Sequence, residues 1–223
     1  MTRRAVAVLA APALLLTILI FGTAAFVVAT GGDPGERLPD LIPWIIMVNH
    51  SMVLIAFVAF ARREGLSRGD VGWIPLGGAR FVGEIGLGIL LGAVVVLFDD
   101  HVLDMIQRAF ESTAANVGSG GVHLRRIPIP WLVAATVFPF VEETVYRGYG
   151  IGILGRRTSL ALAVIVSCIL FGLLHWGQGT WGVLNTAAIG AVYAGVFLWR
   201  RNLWSPTAAH VAFNAIVILR AAT

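Results

Sequence analysis

The sequence predicts an all-α protein, a polytopic transmembrane helical bundle of about seven spans. Three observations carry this. Hydrophobic residues make up 58% of the chain and charged residues only 13%, where a soluble domain of this size carries roughly a quarter charged. The mean hydropathy is +0.86. Long apolar runs recur along the whole chain, separated by short polar connectors. The 223 residues suffice for one membrane domain, 1–223, of seven helices at roughly 20 residues each. No internal repeat, low-complexity segment or second domain interrupts it.

The runs are 5–30, 41–61, 81–98, 130–149, 158–176, 180–199 and 204–220. The first follows Arg3 and Arg4 and is longer than the apolar core of a secretory signal, so the expectation is a retained helix. Pro12 falls within its first turns, where proline is tolerated. In the second, Asn49, His50 and Ser51 either line a cavity or hydrogen-bond between helices, and the latter is the expectation. Glu84, one turn into the third, reads as interfacial. The connector 99–129 is the longest. Val102, Leu103, Ile106 and Phe110 recur there at helical spacing, which predicts an amphipathic surface helix. The stretch GSGGVHLRRIPIP then reads as a flexible connector into the fourth run. Gly148, Gly150, Gly152, Gly155, Gly190 and Gly195 read as sites of close helix packing or bending. Cys168 is the single cysteine. It lies in an apolar run and reads as a core thiol.

All 16 basic residues are arginines, and they sort by connector. Eleven fall on one side (3, 4, 62, 63, 68, 80, 147, 156, 157, 200 and 201) and five on the other (37, 108, 125, 126 and 220). The positive-inside rule then puts the N-terminus in the cytoplasm of a bacterial-type plasma membrane and the C-terminus outside. The arginines form no single patch, which argues against nucleic-acid binding.

The stretch FPFVEETVYRGYG places Glu142 and Glu143 directly after an apolar run. Ionisable residues at membrane depth are candidate functional residues. Glu143 and Arg147 are four apart and share a helix face, which predicts an ion pair. Glu142 points elsewhere. Phe171 and His175 share a face in the fifth run, and His210 and Asn214 share one in the seventh. Three polar groups in three apolar helices each need partners inside the bundle. Together they supply a base (Glu142), a second water ligand or acid (His175) and two oxyanion donors (His210 and Asn214). That is the equipment for hydrolysing an amide without a covalent intermediate.

These motifs, E-E-x-x-x-R at 142–147, F-x-x-x-H at 171–175 and H-x-x-x-N at 210–214, resemble those of the CPBP family. Its members are intramembrane CAAX-protease and bacteriocin-processing proteins, also called ABI-type. The resemblance covers roughly 128–218. It implies a helical bundle with the catalytic groups in a water-accessible cavity. It further implies that Glu142 activates water with help from His175, that His210 and Asn214 stabilise the oxyanion, and that Glu143, Arg147 and Phe171 support the site. The implied substrate is a membrane-associated peptide or protein at the bilayer, a prenylated CAAX sequence or a leader peptide.

Two alternatives stand beside an intramembrane endopeptidase. One is a catalytically idle relative serving as a peptide-binding scaffold or bacteriocin self-immunity factor. The other is a small proton-coupled transporter, which predicts a continuous polar path and repeat symmetry. On cofactors, the expectation is catalysis without a tightly held metal; the alternative is zinc on Glu142, His175 and His210. Nothing in the sequence specifies an oligomeric state. One feature conflicts with the site. With the runs as drawn, Glu142 and His175 differ in depth by roughly 15 Å at 1.5 Å per residue. Either the fifth helix is displaced, or the 150–157 connector dips into the bundle.

Overall fold

A computed structural model describes residues 3–111 and 129–221. Those residues form helices and connectors, with no strand among them. The order is α1 (Arg3–Ala29), α2 (Pro34–Arg63), α3 (Gly78–Phe98), α4 (Asp104–Glu111), α5 (Ile129–Glu143), α6 (Leu160–Leu174), α7 (Gly179–Arg200) and α8 (Trp204–Ala221). A helix stands at each of the seven apolar runs. Among the described residues, four helices are long and apolar enough to cross a membrane: α1, α2, the α3–α4 rod and α7. The site-bearing α5, α6 and α8 are outside that set, α6 because it has only 15 residues.

Local chemistry sets the helix ends. Asp33 caps α2 by accepting from the Gly35 N–H at 2.8 Å, and Pro34 opens the first turn. Proline fits there because that N–H has no helical partner. Ser159 caps α6, accepting from the Leu162 N–H at 3.2 Å. Arg201 closes α7 in the left-handed conformation, φ 57°. The connector 64–77 docks on the α7–α8 turn, where the Leu203 N–H donates to the Gly72 carbonyl at 3.0 Å. Trp204 Nε1 also donates to the Ile74 carbonyl at 2.9 Å.

Two helices run well past the C-terminal ends expected of them. The third apolar run does not stop at 98. It continues through a π-helical segment, Asp99–Leu103, into α4. The amphipathic character expected there holds in part: Leu103 is buried, and Ile106 packs with it against Val95, Ile189 and Tyr193. The side chain of Phe110 and the connector 112–128 lie outside the described residues.

The fourth run does not stop at 149 either. α5 passes without a break into a π-helix, Thr144–Ile153, and a 3₁₀ turn, Leu154–Arg156. π-helical turns are rare and are frequently found at functional sites. Residues 150–157 are therefore not a surface connector, and Gly150, Ile151, Ile153 and Leu154 among them are buried. The reversal comes at Arg157–Ser159. Glu142 and His175 are then 16 and 17 residues from Thr158 on adjacent antiparallel arms. At similar rises per residue they reach similar depth. The conflict came from ending the fourth helix one and a half turns too early.

Glu84 is a further correction. It is 1% exposed and forked by Arg200, with Nη2 at 2.6 Å and Nε at 3.1 Å, and it also accepts from the Ser205 hydroxyl. It clamps α3 to the α7–α8 corner. The α3–α8 seam is close because Gly88 and Gly92 lie one turn apart on it. A Cβ at Gly92 would come within 2.5 Å of the Ala209 carbonyl. Such small-residue spacing lets helix backbones approach, and here it fixes the helix that carries His210. Of the glycines singled out above, Gly190 meets the Phe171 ring and Arg147, whereas Gly195 faces open space.

Candidate active site

Glu143 and Arg147 form the floor. Arg147 Nη1 donates to Glu143 Oε1 at 3.0 Å, with the two side chains 1% and 0% exposed. Arg147 Nη2 donates to the Gly190 carbonyl of α7 at 2.9 Å. Its guanidinium carbon sits 4.3 Å from the centroid of the Phe171 ring. A buried guanidinium is tolerated only where its charge and its donors are met. A carboxylate, a carbonyl and an aromatic face from three helices meet the charge and the Nη1 and Nη2 donors here; Nε is buried without a partner among the described residues. The predicted i, i+4 pair is therefore present, and Phe171 supports it directly.

His210 stands on this floor. Its Nδ1 lies 3.0 Å from the same Glu143 Oε1 and its ring stacks on Tyr193, with centroids 5.0 Å apart. An ionised carboxylate only accepts, so Nδ1 carries a hydrogen. Nε2 is turned toward Glu142, 3.6 Å from Oε2. To donate from Nε2 as well, His210 must hold both ring protons. Glu143 thus links Arg147 to the orientation of a residue on α8.

Glu142 is 7% exposed and occupies the centre. Its Oε1 lies 2.7 Å from His50 Nε2 on α2. His175 ends α6, and its Nδ1 donates to the Phe171 carbonyl at 3.1 Å. That leaves Nε2 as the lone-pair nitrogen of the neutral ring. His175 is within electrostatic range of Glu142, His210 and His50. The structure therefore gathers Glu142, Glu143, Arg147, Phe171, His175 and His210 into one cluster. Asn214, one turn beyond His210, is half-buried and makes no side-chain hydrogen bond to another described residue. Glu143 Oε2 and the Tyr146 and Tyr193 hydroxyls are buried without partners among the described residues. They add polar surface around the carboxylates.

Of the three polar residues in the second run, only His50 hydrogen-bonds to another helix among the described residues. Ser51 is exposed and donates to its own helix at the Met47 carbonyl, so it holds no neighbouring helix. Asn49 is fully buried with neither amide atom partnered. His50 does bridge helices, but it does so onto Glu142. Its partner is 92 residues away, so no local spacing could have revealed it.

One carboxylate and two histidines suit zinc by donor chemistry. As arranged, however, no three histidine, cysteine or carboxylate groups among the described residues converge to hold an ion. Glu142 Oε1 and His210 Nδ1 are turned to protein partners. No step is therefore derived through a metal.

Residues 125–216 match the family model described as Type II CAAX prenyl endopeptidase Rce1-like. The chain is also 26% identical over 146 residues to a protein of Bacillus subtilis (strain 168) named "Putative membrane peptidase YdiL". That match covers 61% of this chain and 57% of the relative. No solved structure matches. Both matches agree with the three motifs, and the apolar helices make the chain an integral membrane protein. Over residues 125–216, the segment that holds all three motifs, the chain is thus similar to the CPBP family.

Proposed function

We propose that this protein is an intramembrane endopeptidase that hydrolyses a peptide bond with water activated by Glu142. The observation that carries the reading is the convergence on one buried carboxylate of histidines from α2, α6 and α8, beside a second carboxylate neutralised by Arg147. Glu142 Oε2 takes a proton from water, and the hydroxide attacks the carbonyl carbon. His175 Nε2 orients the water by accepting its other hydrogen. The oxyanion accepts from His210 Nε2, in the ring form carrying both protons, and from the Asn214 amide. Collapse of the tetrahedral intermediate breaks the C–N bond. The proton held by Glu142 passes to the leaving amine. The products are a carboxylic acid and an amine, with no covalent enzyme intermediate and no metal step.

The similarity to the family model supports the substrate class. The matching model describes prenyl endopeptidases acting at CAAX sequences, and a site among membrane helices suits a substrate anchored in the bilayer. We therefore assign a membrane-associated peptide, prenylated at a C-terminal CAAX sequence or carrying a leader. The arginine bias supports a plasma membrane with the N-terminus in the cytoplasm. The reading is tested by Glu142→Gln, which keeps the shape and removes the base: cleavage is lost while the fold is kept.

A further inference from the structure

We propose that His50, supplied by α2 from outside the segment that matches the family model, is a positioning residue for Glu142. This rests on the peptidase reading above and adds to it a residue outside both the three motifs and the segment that the family model matches.

The His50 ring is fixed on three sides. Nδ1 lies 2.9 Å from the Ile46 carbonyl, one turn back on α2. The ring face stacks on Phe138 at 4.1 Å, with an interplanar angle of 10°. Nε2 lies 2.7 Å from Glu142 Oε1. The proton inventory follows from the acceptors. A carbonyl oxygen only accepts, so Nδ1 carries a hydrogen and donates it to Ile46. If His50 held no second proton and Glu142 were ionised, two lone pairs would face each other at 2.7 Å, which is repulsive. The contact therefore contains one proton, on Nε2 or on Oε1.

Either placement has the same geometric result. Oε1 is committed to His50, and Oε2 is the oxygen left to face His210; it takes a proton from water when the shared proton sits on His50 Nε2. With the proton on Nε2, the carboxylate is an ionised base held in one rotamer. Phe138 is one turn before Glu142 on α5, so the stack ties the histidine to the helix it serves. A carboxylate free to rotate about its terminal torsion, which is broad, would present Oε2 to water only part of the time. A plain clamp between α2 and α5 would lower stability when removed but would not depend on which atom meets Oε1.

The test uses full-length protein in detergent micelles, with a quenched-fluorescence CAAX peptide, farnesylated and unmodified, as probe. His50→Leu is expected to lower kcat by on the order of 10²-fold, as for a misplaced reacting group, with KM within a few-fold of wild type. That pattern marks an interaction lost from the transition state rather than from binding. His50→Gln, whose amide N–H can meet Oε1, is expected to recover at least about tenfold of that loss. In histidine-15N spectra, the His50 Nε2 resonance, assigned by its absence in His50→Leu, is expected to move on Glu142→Gln. Wild-type kcat in His50→Leu overturns the proposal, as does an Nε2 resonance indifferent to Glu142→Gln or a His50→Gln variant no better than His50→Leu. If Glu142→Gln itself cleaves like wild type, or wild type cleaves neither peptide, the peptidase reading falls and His50 with it. Loss at Glu142 without loss at His50 refutes the His50 role alone.

Discussion

Glu143→Gln is the perturbation whose cost can be worked most directly from the structure. The Glu143 side chain is 0% exposed, and one oxygen accepts from both Arg147 Nη1 and His210 Nδ1 at 3.0 Å. The amide keeps an acceptor but loses the charge, leaving the 1%-exposed guanidinium of Arg147 without a counter-ion. Breaking a buried ion pair by removing one partner costs about 3–5 kcal/mol. At about 2–4 °C per kcal/mol for a chain of this size, thermal unfolding in detergent should fall by roughly 6–20 °C. Replacing both partners with apolar groups, Glu143→Leu with Arg147→Met, removes the stranded charge and should restore most of the unfolding temperature. It should not restore activity, because His210 would still lack the carboxylate that orients it. A Glu143→Gln protein that unfolds within about 2 °C of wild type would refute this account of the floor.

Three further outcomes follow. Exhaustive chelation with dialysis should leave peptide cleavage intact; zinc at one equivalent, lost on changing His175 or His210, would reverse the metal expectation. Reporter fusions within 112–128 should score external, and a cytoplasmic score would invert the orientation. In the 64–77 connector, the Ser67 hydroxyl and then the Ser67 N–H donate to Asp70, at 2.6 and 2.8 Å, and hold its carboxyl below the ordinary 3.8. A lowered folded value means the contribution is present above the unfolded value and is lost as pH falls through the folded one. Protection of this connector's amides from hydrogen exchange, taken relative to the intrinsic rate at each pH, should fall as the pH drops below 3.8, and Asp70→Asn should flatten that fall.

The bundle and half of the site were legible because both are periodic. Apolar runs report helices, and Glu143–Arg147, Phe171–His175 and His210–Asn214 are each four apart, so local spacing alone puts each pair on one face. Hydropathy is blind to what came from elsewhere. Arg147 and the glycines after it extend α5 as a π-helix although they lower its polarity contrast with a connector, so the turn was placed at 150–157 instead of 157–159. The Ser159 cap was a local signal for the true turn. Gly88 and Gly92 were likewise readable as a G-x-x-x-G packing seam. Glu84 looked interfacial because its partner Arg200 is 116 residues away, and His50 looked structural for the same reason. Pairings across the bundle are set by helix packing, which no single-helix pattern encodes.

The central claim is that Glu142 is the base and Glu143 is not. The most direct measurement is single-turnover cleavage of a CAAX peptide by purified Glu142→Gln protein whose unfolding temperature matches wild type. The account predicts a loss of at least about 10²–10⁴-fold in rate with peptide binding retained. Cleavage at the wild-type rate by that folded protein would contradict it.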